Sequence, residues 1–176
     1  MKVQLKELYK MGLDWDTPLD GGLRDMWLGY MEKEMLVKTC GIKFNRATRP
    51  VNAVERCILV CFFDGSDLAF GVVIFVRWVL EDGSVWVYLV AAKFRVTPLF
   101  GTSTPRIELE GATLMTRVVV RVVRALVDDP PAKVYFLGDS ETVLGGRERD
   151  KGFFGEFFGN RIGEMHDNEI RMQNLV

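Results

Sequence analysis

Three carboxylates have the types and settings to do chemistry: Asp64, Glu108 and Asp139. Asp64 ends the apolar run Cys57-Ile58-Leu59-Val60-Cys61-Phe62-Phe63 and opens Asp-Gly-Ser; Asp139 ends the run Lys133 to Leu137 as Gly138-Asp139-Ser140. Glu108 falls just inside a helix-length segment that begins at Thr104-Pro105. Singly, each acid is an ordinary turn or cap residue. Jointly they are more, provided the two runs are parallel neighbouring strands about 4.8 Å apart. Both aspartates then leave the sheet at one edge, where open α/β sheets bind ligands, and the start of the helix overhangs them. Carboxylates gathered in this way repel one another unless a cation intervenes. Hard oxygen donors suit Mg²⁺ or Mn²⁺, and two such ions would activate a water and steady the leaving oxygen of a phosphodiester.

Glu110 is the rival to Glu108. Helical residues two apart differ by about 200°, so only one of the pair faces inward. Glu108 shares its face with Ala112, Met115 and Val119, and is expected inside; Glu110 shares its face with Leu114, Arg117 and Arg121, and is expected in solvent. Arg117, Arg121 and Arg124 recur along that outer face as a candidate phosphate track. A second basic group, Arg147, Arg149 and Lys151, lies in a candidate loop after Gly145-Gly146; with Ser66 beside Asp64, these are the expected nucleic-acid contacts.

The elements that must position these residues follow from patterning. The run Cys57–Phe63 is apolar at every position, which marks a buried central strand. Two further strands, Phe70 to Leu80 and Ser84 to Val96, flank Asp82-Gly83, a hairpin signal because both turn residues tolerate positive φ. In the long segment that follows, Thr104 is expected as N-cap with Pro105 at the first helical position. The helix runs to about Asp128, where Pro130-Pro131 ends it. A fourth strand, Lys133–Leu137, a short helix from Glu141 and a last helix over Phe153–Met165 complete the order. Residues 1–55 read as an arm or connection with a short amphipathic helix at Leu23, Trp27, Tyr30 and Met31, and residues 56–176 as the domain.

Composition sets outer limits. The 176 residues are 48% hydrophobic and 27% charged, with a formal net charge of −1. That is ordinary for a globular chain and gives no general attraction to nucleic acid. No apolar window is long enough for a membrane span, and the N-terminus lacks a signal-peptide core. Three cysteines without metal-site spacing point to reduced thiols in a cytoplasmic or nuclear protein, with Cys57 and Cys61 as core residues.

The motifs together resemble the ribonuclease H-like region of Bel/Pao retrotransposon polyproteins. The likeness runs over about residues 12–166. It is carried by Leu13-Asp14-Trp15-Asp16-Thr17-Pro18-Leu19, by Phe63-Asp64-Gly65-Ser66 with Ala69-Phe70-Gly71-Val72-Val73, by Ala91–Leu99, by Thr104–Leu109, by Val134–Leu144 and by Phe157–Glu164. The resemblance implies an α/β, ribonuclease H-like fold: a mixed sheet of three antiparallel strands plus a parallel fourth, with flanking helices. It also implies cleavage of the RNA strand of an RNA–DNA hybrid, two Mg²⁺ ions, and Asp64, Glu108 and Asp139 as their ligands. Members of that family continue into a fifth strand, a histidine-bearing loop and a last helix with a fourth carboxylate, for which this chain has no evident match. His166, the sole histidine, reads as a surface residue. Two functions follow: an active nuclease, or a catalytically silent descendant that acts as an interaction module for protein or nucleic acid. In the second case a partner, or self-association, is expected through the aromatic-rich region Phe153–Phe158.

Overall fold

In the computed structural model the described residues are 2–41, 48–99, 102–141, 143, 145 and 155–174. The chain forms two compact units, Met1–Arg46 and Ala47–Val176. The first holds α1 (Lys2–Lys10) and α2 (Gly21–Thr39). Helix α2 is longer than the expected amphipathic segment. Asp20 caps its start by accepting from the Leu23 N–H at 2.9 Å, and no stop signal interrupts its Met-, Leu- and Lys-rich stretch. Gly41, at φ +67°, ends it in the left-handed conformation that a residue with Cβ adopts only at a cost.

In the second unit a four-stranded sheet runs in the order β3-β2-β1-β4, with β1 Ile58–Gly65, β2 Ala69–Val79, β3 Val85–Val96 and β4 Lys133–Leu137. The first three strands are antiparallel neighbours. The β2–β3 turn forms where Asp82-Gly83 stands: Gly83 has φ +78° and the Asp82 carboxylate accepts from the Ser84 N–H at 2.9 Å. β4 pairs with β1 in parallel, Ile58 opposite Lys133 through Phe62 opposite Leu137. The strand pattern expected from sequence is therefore present, with β4 at its expected bounds.

Helix α3 (Thr104–Ala125) packs across the sheet. Its N-cap is Ser103, one residue before the expected Thr104, because Pro105 still falls within the first helical turn. Three of its last eight residues are arginine or alanine and five are valine, a poor helix-forming run. Burial holds it: Val118, Val119, Val120, Val122 and Val123 join Leu59, Cys61, Val72, Ile74, Val76 and Trp78 in one core. The segment before β1 is tied to this body. The Trp78 indole donates to the Thr48 carbonyl at 2.8 Å, and Arg49 lies over the Trp78 ring and pairs with Asp129 at 2.7 Å.

The last helix, α4 (Glu156–Gln173), is displaced from the expected Phe153–Met165; its glycines are tolerated because α3 supports it. Arg117 of α3 grips the Glu164 carboxylate with two N–H groups, Arg161 of α4 pairs with Glu110 at 2.7 Å, and buried Asn168 donates to Thr116 at 3.1 Å. Ile162 and Met165 pack with Leu109, Ala112 and Val143 in a second small core that takes in Phe157 and Phe158. Phe157 and Phe158 are thus half-buried against that core, while Phe153 and Phe154 lie outside the described residues.

β1 is central but is not buried on both faces, as its uniform apolar run led us to expect. Leu59 and Cys61 are fully covered by α3, whereas Phe62, on the other face, is exposed. Burial raises the thiol pKa values of Cys57 and Cys61 to about 11 and about 12, with the Asp129 charge adding at Cys57, so both are inert core thiols.

Two stability effects follow. A methyl group added at Gly138 would stand 2.2 Å from the Phe63 ring; Gly138→Ala should cost about 1–3 kcal/mol of unfolding free energy in urea titration. The Arg117 guanidinium holds the Glu164 carboxyl below its ordinary 4.5. A depressed carboxyl stabilises the fold above its unfolded pKa and loses that contribution as pH falls through the folded value. Glu164→Gln should therefore cost up to about 1 kcal/mol at neutral pH, with the difference from wild type vanishing in acid; thermal melts across pH 7 to about 3 would read this.

Candidate metal and nucleic-acid site

The parallel register places the two aspartates. Phe62 pairs with Leu137, the last pair of the β1–β4 ladder. Two further steps along each chain reach Asp64 and Asp139, which leave the same end of the sheet from adjacent strands. Both are exposed.

Three glycines let the acidic segments approach closely. At Gly65, next to Asp64, a Cβ would stand 3.0 Å from Ile107 of α3. One helical turn past Glu108, a Cβ on Gly111 would stand 3.5 Å from the Asp64 carbonyl oxygen. At Gly138, before Asp139, the Phe63 ring already fills the place of a side chain. The early part of α3 thus lies directly against the end of β1. Glu108 is half-buried there, and its Oε2 accepts a 2.7 Å hydrogen bond from the Ser140 hydroxyl. Ser140, itself buried, also accepts from the Val143 N–H at 3.2 Å, which fixes the turn that follows Asp139. Glu108, Ser140 and Asp139 are therefore linked across α3 and the β4 exit. The Ser140 role was missed in sequence; its only signal was the Gly-Asp-Ser string itself.

Glu110 corrects a further expectation. It is not in solvent but half-buried against Arg161. The face it shares with Leu114 and Arg117 is covered by α4, so α3 is flanked on two sides. Arg117 is committed to Glu164, which removes it from a free basic track; Arg121 and Arg124 remain exposed. Ser66 is exposed; its hydroxyl donates to the Ala69 carbonyl at 3.0 Å and closes the β1–β2 turn. Arg147, Arg149 and Lys151 lie outside the described residues. His166 is half-buried on α4.

The donor set suits a hard divalent cation: carboxylate oxygens on three segments at one rim. Two of the three side chains are engaged locally as they stand. Asp64 Oδ1 accepts from the Gly65 N–H at 2.7 Å and Glu108 accepts from Ser140. Among the described residues no group of three or more His, Cys, Asp or Glu side chains is assembled to hold a metal ion. Metal ligation by Asp64 and Glu108 would have to replace those two hydrogen bonds. No helix among the described residues is long and apolar enough to cross a membrane.

Comparison with known proteins adds a family. Among solved structures the chain is similar to the N-terminal RNase H domain of a Mycobacterium tuberculosis protein, solved as a fusion with maltose-binding protein. Identity there is 13% and TM-score 0.43, covering 65% of this chain and 76% of that one. It is similar also to RNase H1 from Halobacterium salinarum (15% identity, TM-score 0.28, 67% and 76% covered). A third likeness is to the NurA nuclease from Sulfolobus solfataricus (10%, TM-score 0.37, 89% and 57%). None of the curated proteins compared matches the chain. The model of the Pao retrotransposon-like RNaseH-like domain matches residues 1–140, most of the length, and the chain belongs to that family.

Proposed function

We propose that this is a metal-dependent ribonuclease domain of a retroelement polyprotein, acting on the RNA strand of an RNA–DNA hybrid. The observation that carries the reading is the parallel β1–β4 register, which brings Asp64 and Asp139 to one rim beside Glu108. In this reading Asp64, Glu108 and Asp139 hold Mg²⁺ or Mn²⁺, two ions in the active state. When bound, the ions would supply a nucleophilic hydroxide and charge stabilisation at the scissile phosphate.

The chain's own residues have distinct tasks. Asp64 presents its carboxylate from the end of β1, and Asp139 from the turn two residues beyond β4. Ser140 orients Glu108 through its hydroxyl and fixes the turn after Asp139. Exposed Arg121 and Arg124, with Arg147, Arg149 and Lys151, supply positive charge for the backbone of the hybrid. Unpaired buried thiols at Cys57 and Cys61 suit a reducing cytoplasmic or nuclear setting.

A second reading is favoured by one observation. Asp64 and Glu108 each accept a local hydrogen bond, and the three acids form no assembled group among the described residues. On that reading the domain keeps the fold as an interaction module without turnover.

A single assay separates the two: cleavage of a labelled RNA–DNA hybrid with Mg²⁺ or Mn²⁺, for wild type and Asp64→Asn. The nuclease reading expects cleavage that falls by on the order of 100-fold or more in the variant. No cleavage by wild type, together with no heat of Mn²⁺ binding in calorimetry, would leave the interaction module as the function.

A further inference from the structure

Strand β3 ends the sheet order β3-β2-β1-β4, so among the described residues no strand pairs with its outer edge. Its first eight residues, Val85-Trp86-Val87-Tyr88-Leu89-Val90-Ala91-Ala92, hold no charge, proline or glycine. An edge of that kind is a template for a further strand.

The hairpin fixes which backbone groups the edge offers. The Gly83 N–H donates to the Leu80 carbonyl and the Leu80 N–H to the Ser84 carbonyl, both at 2.9 Å. Pairing alternates along an antiparallel ladder, so Trp86 and Tyr88 turn their N–H and C=O groups toward β2, opposite Trp78 and Val76. Val85, Val87 and Leu89 turn theirs outward. Val90 is bulged, since Leu89 pairs with Phe75 and Ala91 with Ile74, and the bulge confines the regular edge to Val85–Leu89. On the face away from α3 the side chains of Val85, Val87 and Leu89 are 48%, 56% and 36% exposed. On the other face Trp86 and Tyr88 stack with ring centroids 5.2 Å apart.

We propose that β3 pairs antiparallel with β3 of a second copy, about a two-fold axis at Val87, so that one sheet continues into the other. This register uses every outward-turned group of the regular edge: Val87 pairs with Val87, and Val85 with Leu89 on either side of it. Trp86 comes opposite Tyr88, which extends each stacked pair into an array of four rings. Charge selects the direction. Glu81 and Asp82 stand just before the strand and Lys93 follows its apolar run. With the bulge taking up one residue, antiparallel pairing brings Lys93 of each copy alongside Glu81 and Asp82 of the other. Parallel pairing would set acid on acid and lysine on lysine. Antiparallel pairing of a strand with itself is also isologous and closes at two copies. The second copy extends the sheet away from β1 and β4, so Asp64 and Asp139 stay open, and the interface stands independently of the nuclease reading.

The test combines sedimentation of the full chain through a dilution series with amide hydrogen exchange. A reversible dimer is expected for wild type. Its Val85, Val87 and Leu89 amides should gain protection as concentration rises, while those of Trp86 and Tyr88 stay protected throughout. Val87→Pro removes an N–H that the β2–β3 ladder does not use, as edge strands tolerate, and should give a monomer. Lys93→Glu should weaken association by about tenfold, and combining it with Glu81→Lys should recover it. The exchange pattern of wild type keeps the test decisive if Val87→Pro fails to fold. A wild type that stays monomeric at every concentration overturns the proposal. A dimer in which the Val87 and Leu89 amides exchange as in the monomer, or that is indifferent to the charge reversal, uses another surface and overturns it equally.

Discussion

The parallel ladder between β1 and β4 is the constraint on which the remaining structure depends. Five residue pairs set it, and everything at the carboxyl rim inherits its register. Parallel strands cannot be joined by a tight turn, so the chain must cross the sheet and return. Helix α3 makes that crossing, and the crossing is what carries Glu108 to the rim. The ladder is anchored at its start by Arg56, which donates to the Pro130 and Pro131 carbonyls, and by the Ala132 N–H donating to the Cys57 carbonyl at 2.7 Å. At its far end Phe63 fills the space over Gly138. Slipping the register by one residue would turn Asp64 to the opposite face from Asp139 and drive Leu59 and Cys61 out of the core.

Helix α3 serves two neighbours. One side supplies the valines that cover the sheet, and another takes α4 through two ion pairs and the Asn168–Thr116 bond. Its buried threonines are satisfied within the helix or by α4: Thr113 donates to the Leu109 carbonyl at 2.8 Å and Thr116 to that of Thr113 at 3.0 Å. This double duty explains why the valine-rich segment remains helical and why α4 tolerates its glycines. The rim is thus set by packing over the whole unit, while the acids themselves stay near water.

Much of this was legible in the sequence because local chemistry was decisive. Asp82-Gly83 demanded a turn, and β4 was bounded by Pro130-Pro131 before it and Gly138 after it. The alignment of Asp64 with Asp139 required only that one crossover return in parallel. What escaped depended on partners distant in the chain. Glu110 was read as a solvent residue because nothing near it announces Arg161, 51 positions away. Arg117 was read as a phosphate contact for the same reason, since Glu164 lies on α4. The open face of β1 was hidden by composition: an unbroken apolar run looks the same whether one face or both are covered.

The central claim, that three chain segments converge on one cation-binding corner, can be measured through the backbone amides. Titration of the isotopically labelled chain with Mn²⁺, followed by NMR, should broaden the resonances of residues 64–66, 107–109 and 139–141 together and before others. Broadening confined to one of these segments, or scattered over unrelated acidic residues, would contradict the claim.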